Sequence, residues 1–145
     1  MRSRHLSIRL EIDTFERLDA QSRRTGQSRS QIAKTLLDEG LRVEAHPGIV
    51  FRPGPAGRRP GLAGGPDIWE VARLFQRERR RVEEPGEEQL RGMGNLMGLS
   101  LEQVRSALRY YADYPNEIDE WIRRVDEGAI SAEAAWHREQ QLLGR

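Results

Sequence analysis

The chain contains no cysteine. Disulfides, thiolate metal sites and a cysteine nucleophile are excluded at once. Aromatic residues make up only 6% of the 145 positions and hydrophobic residues 37%, so core-forming material is thin for the length. A core that thin usually needs a partner chain to complete it. Long apolar runs are missing as well, and nothing approaches the roughly 18 consecutive residues of a membrane span. The start, Met1-Arg2-Ser3-Arg4-His5, leads into a short alternating stretch rather than the apolar centre of a signal peptide. A cytoplasmic, nucleoid-associated protein is therefore expected. Lysine is nearly absent too: Lys34 is the only one among 24 basic residues.

Catalytic constellations are equally scarce. His5, His46 and His137 are scattered, without carboxylates at ligand spacing. No metal, no cofactor and no catalytic residue is expected, and His46, before Pro47, is read as part of a packed turn. The glycine-rich stretch 54–65 lacks the Gly-Lys-Ser/Thr of a phosphate-binding loop and does not lead from a strand into a helix. The expectation is a protein that is not an enzyme.

What the sequence does have is uneven charge. Residues 1–45 carry nine basic and seven acidic groups, 46–82 eight and three, and 83–145 seven and thirteen. A basic front and an acidic rear point to a polyanion at one end and a protein partner at the other.

Leu6-Ser7-Ile8-Arg9-Leu10-Glu11-Ile12 alternates apolar and polar side chains without a fault. Period two predicts a strand with Leu6, Ile8, Leu10 and Ile12 on one face. Asp13-Thr14-Phe15-Glu16 reads as a capping box opening a helix striped by Phe15 and Leu18 and ended by Gly26. Ser28-Arg29-Ser30-Gln31 is a second box, and its helix places Ile32, Ala33, Leu36, Leu37 and Leu41 at helical spacing. Everything after Pro66 reads as helix, so the lone strand has no ladder partner in its own chain. Its backbone groups must pair with something. The economical partner is the same strand of a second copy, antiparallel across a two-fold axis.

In this order and spacing, Leu6 to Leu41 resembles the ribbon-helix-helix repressors of the CopG, Arc and MetJ type. The resemblance implies an intertwined β-α-α homodimer over 1–45 whose ribbon enters the major groove of duplex DNA. It assigns base reading to His5, Ser7 and Arg9, with Arg9 suited to a guanine edge. It assigns an anion site to the amides around Ser28, Arg29 and Ser30 at a helix N-terminus. Arg2 and Arg4 join Arg29 as phosphate contacts. Leu6, Ile8, Leu10, Ile12, Phe15, Leu18, Ile32, Leu36 and Leu37 would form the dimer core.

Residues 46–66 are dense in glycine and proline and are expected to form an ordered or semi-ordered arm. A helical bundle over 67–114 follows, opened by Asp67. It includes a short helix near Glu87–Met93, a turn broken by Gly92, Gly94 and Gly98, and a helix capped by Ser100. Pro115 opens a C-terminal interaction segment, 115–145. There Ile118, Ile122, Val125, Ala129, Ala132 and Trp136 alternate spacings of four and three. Gly128 and Ser131 are expected to divide it, and Trp121 and Trp136 to be covered by the bundle or a dimer mate.

His46-Pro47-Gly48-Ile49-Val50-Phe51-Arg52, Ile68-Trp69-Glu70-Val71 and Leu99 to Tyr111 together resemble a small helical domain of unknown function that accompanies VapB-like antitoxins. The resemblance covers about 46–114 and implies a helix-turn-helix-like bundle. The fold class expected is thus mainly α. The function expected is a transcriptional repressor, the antitoxin of a toxin–antitoxin pair with a protein toxin as partner, or else a DNA-organising or partition protein. Two uses of the rear remain open. Either Arg77, Arg79, Arg80 and Arg81, or Arg105 and Arg109, make a second DNA contact, or the bundle and tail hold a toxin or build a dimer of dimers. The helix dipole alone also accounts for a basic run at a helix end.

Overall fold

Two units make up the computed structural model, which describes residues 2–144: one runs to Ala45 and the other begins at His46. The described residues form six helices and one two-stranded antiparallel sheet. No helix among them is long and apolar enough to cross a membrane.

The first unit is a helix pair, α1 (Ile12–Thr25) and α2 (Arg29–Ala45). Residues 2–11 form no strand within the chain. A strand exists only through its ladder, and the six-residue alternation before α1 finds none here. Helix α1 also starts earlier than the sequence pattern implies. The Phe15 amide donates to the Glu11 carbonyl at 3.0 Å, so Ile12 is already helical. Asp13 therefore lies in the first turn rather than at the cap, where its charge complements the unpaired amides. Helix α1 ends at Gly26, whose left-handed backbone lets its amide reach the Ser22 carbonyl at 2.9 Å. Ser28 does cap α2, its Oγ accepting from the Gln31 amide at 3.1 Å. Ile32 is buried and Leu18 half-buried, which joins the two helices.

The second unit opens with a hairpin where an arm was expected. Strand β1 (Ile49–Arg52) pairs with β2 (Arg59–Leu62), in register Ile49 with Leu62 and Arg52 with Arg59. Proline does not forbid it, because both strands of a two-stranded sheet are edges and Pro60 needs no ladder donor. The buried Ile49 and Leu62 carry the hairpin into a core with Ile68, Val71, Met93, Val104 and Tyr110. Around that core lie α3 (Ile68–Arg81), α4 (Glu87–Met97), α5 (Leu101–Asp113) and α6 (Pro115–Leu142).

Helix α4 continues through Gly92 and Gly94, so of the three glycines expected to break the turn before α5 only Gly98 does, its left-handed backbone ending the helix. Ser100 caps α5: its Oγ accepts from the Gln103 amide at 3.1 Å while the Gln103 side chain accepts from the Ser100 amide at 2.8 Å. Helix α6 is likewise unbroken at Gly128 and Ser131. An interior glycine costs only about 1 kcal/mol against alanine. Neighbouring alanines and the Arg123–Glu127 pair at 2.5 Å favour continuing the helix. Ile118 and Ile122 are its buried residues, whereas Trp136 is 56% exposed and is not covered by the bundle. Trp121 is half-buried under the Arg124 guanidinium, 5.4 Å from its ring centre.

Candidate nucleic-acid interface

Arg2, Arg4, His5, Ser7 and Arg9 are all exposed on the segment before α1. Leu6, Ile8, Leu10 and Ile12, from the other half of the alternation, are exposed as well. Together with Phe15, Leu36, Leu37 and Leu41 they leave large side chains 40% to 75% accessible on a unit of two helices. Patches of that kind mark association surfaces.

At the start of α2 the first amides lack intrahelical acceptors, as at any helix N-terminus. Ser28 and Ser30 are exposed there. Arg29 is more committed than the sequence implies. Its guanidinium lies 3.3 Å from an Asp19 carboxylate oxygen and 5.1 Å from the centre of the Phe15 ring. It therefore fastens the head of α2 to α1, and any phosphate would compete with Asp19.

The two sets of arginines in the second unit differ sharply. Arg105 reaches Glu102 at 3.3 Å and Glu87 at 3.9 Å, and Arg109 reaches Ser106 at 3.2 Å and Glu102 at 4.0 Å. Arg91 first, with Arg105 helping, holds the Glu87 carboxyl below its usual range, so this cluster is internally compensated. Arg77, Arg79 and Arg80 are exposed at the end of α3 and meet no carboxylate among the described residues, where Arg81 has only Glu78 at 3.6 Å.

No family model, curated protein or solved structure matches this chain.

Sequence reasoning missed a buried polar cluster around Asp67. Asp67, at the head of α3, is buried and accepts from Arg52 at 2.7 Å, from Arg59 at 2.6 Å and from the Trp69 indole at 3.2 Å. Arg52 also donates to the carbonyls of Leu62 and Gly65. A side chain on Gly61 would collide with the Arg52 guanidinium, so glycine there makes the bridge possible. The capping role of Asp67 was legible, but its two arginines lie on strands that local pattern did not reveal.

A smaller network was also missed. The Tyr111 hydroxyl donates to Asp119 at 2.6 Å and accepts from Gln76 at 2.8 Å, joining α3, α5 and α6. Burial, then the bond to Asp119, pushes the Tyr111 phenol above its usual value. His46 does sit in a packed turn, 2.8 Å from Asp113 and with its ring centre 5.2 Å from that of Tyr110. Among the described residues no group of three or more His, Asp or Glu is placed to hold a metal ion.

Proposed function

We propose that the chain is a homodimeric, sequence-specific DNA-binding repressor of the ribbon-helix-helix type. One observation carries this reading: an alternating segment without a ladder, next to two helices whose apolar residues lie open. A second copy supplies both needs in one step. Two such segments paired across a two-fold axis satisfy each other's amides and carbonyls, and the ribbon's apolar face covers Phe15, Leu36 and Leu37. Each leucine-sized side chain so covered contributes roughly 1.5–3 kcal/mol. The opposite face then shows His5, Ser7 and Arg9 twice, to the major groove. Ser28 and Ser30, with the free amides of α2, bind a flanking phosphate.

The test is duplex selection from a randomised library, followed by retardation gels. The wild-type chain is expected to enrich a short, two-fold-symmetric site. Arg9→Ala is expected to cost about 1–3 kcal/mol per lost base contact, concentrated on one or two base pairs. A uniform loss across sequences refutes base reading by Arg9, and failure to retard any duplex sinks the function.

Within that function the narrower identity is an antitoxin that represses its own operon, supported by the resemblance over 46–114. Stable co-purification with the product of the adjacent gene would support it. A DNA-organising or partition protein is the alternative, favoured by the uncompensated arginines of α3. Uniform coating of long duplexes would separate it from a repressor.

A further inference from the structure

We infer that the C-terminal turns of α3 form a second contact for duplex DNA, with Arg77, Arg80 and Arg81 gripping phosphates of the backbone. The inference rests on the DNA-binding reading above and adds to it a surface outside residues 1–45.

Charge compensation is the rule in the second unit. Arg73 reaches Asp126 at 2.5 Å, Arg91 reaches Glu87 at 2.7 Å and Arg124 reaches Glu120 at 3.2 Å. Arg123 and Arg105 also sit against carboxylates. The end of α3 departs from that rule, although Glu83 and Glu84 follow it closely in sequence. Arg77 and Arg80 are exposed and meet no carboxylate among the described residues, and Arg81 is 3.6 Å from Glu78. The helix dipole favours cations at this end, but it does not require three on one face.

Their spacing is i, i+3 and i+4, which places all three on one side of the helix. From Arg77 to Arg81 the axial rise is about 6 Å. Phosphates of one strand recur about every 3.4 Å along the duplex axis, so the face spans roughly two of them. Arginine forks match phosphate oxygens in pairs and carry no preference for sequence. The surface adds affinity and salt sensitivity while His5, Ser7 and Arg9 keep the choice of site.

The test is the salt dependence of binding by the full-length chain to its selected duplex. R77A/R80A is expected to flatten the slope of log affinity against log salt by roughly 1–2 per protomer, near 0.9 for each phosphate released. Its site preference should stay that of the wild type. R77K/R80K should restore most of the slope, because a phosphate accepts a point charge. R123A/R124A removes equal charge from α6 and should flatten the slope much less. Circular dichroism confirms that the variants fold, as expected for exposed positions. An unchanged slope in R77A/R80A, with Arg9→Ala still impaired, overturns this surface and leaves the ribbon standing. An equal effect from R123A/R124A reduces it to net charge and also overturns it. A wild-type chain that binds no duplex overturns both.

Discussion

Asp67 holds two guanidiniums that face each other across the hairpin, Arg52 at 2.7 Å and Arg59 at 2.6 Å. Without the carboxylate both cations stay close together and half-buried, with only Arg52 keeping its bonds to the carbonyls of Leu62 and Gly65. Asp67→Asn is expected to destabilise the second unit by about 3 kcal/mol, the lower end for breaking a buried ion pair. Each guanidinium keeps near 30% exposure, which places the cost at that lower end. Urea denaturation of the full chain measures it. A loss under about 0.5 kcal/mol, the scale of a surface pair, would show that water screens the bridge. Gly94 and Gly92 make a matched pair in α4. A Cβ on Gly94 would lie 2.6 Å from the Leu99 carbonyl oxygen, while one on Gly92 meets nothing within 4 Å. Gly94→Ala gains about 1 kcal/mol of helix propensity but overpacks against backbone that Gly94 itself anchors. Its thermal midpoint should fall, corresponding to a net loss of up to about 2 kcal/mol. Gly92→Ala has only the gain, and its midpoint should rise.

Among the elements, α3, α5 and α6 meet through Gln76, Tyr111 and Asp119. The phenol's pKa is raised, so its protonated form is favoured by the fold. That contribution is fully present below the unfolded value of about 10 and is lost as pH rises through the higher folded value. Tyr111→Phe keeps the ring and removes the hydroxyl. It is expected to lose about 1 kcal/mol at neutral pH, the net worth of a typical hydrogen bond. It should also show a shallower decline of stability above pH 10 than the wild type, read from urea midpoints. An identical alkaline decline would show that the phenol ionises freely in the fold. Helix α6 behaves differently along its length. Its first turns bury Ile118 and Ile122, whereas Ile130, Trp136 and Leu142 lie open.

For the whole molecule the decisive quantity is the association state. Leu10→Glu places a charge in the face proposed to lie between two copies, next to Leu6 and Ile8. It is expected to abolish the dimer and duplex binding together, since isolating a charge there costs several kcal/mol. Sedimentation equilibrium and retardation gels on the same sample report the two losses. A wild-type chain that sediments as a well-folded monomer, or a Leu10→Glu chain that stays dimeric, would contradict the proposed assembly. The second unit keeps its own core in either case, so its urea transition should survive the substitution.

Local pattern determined much of this chain. Gly26, Ser28, Asp67, Ser100 and Pro115 mark helix ends that the backbone respects, because a cap or a turn is decided by a few adjacent residues. The alternation over Leu6 to Ile12 made a strand legible, but a strand's existence depends on a partner, and within one chain the segment has none. Only tertiary structure decided that glycine- and proline-rich residues 49–62 become a hairpin, since its support comes from Asp67 and a core assembled by distant helices. Tertiary structure likewise decided which arginines are free. Arg105, Arg109 and Arg77 look alike as letters; Glu102 of the same helix lies within 4.0 Å of the first two, folding adds Glu87 to Arg105, and among the described residues no carboxylate comes that close to Arg77.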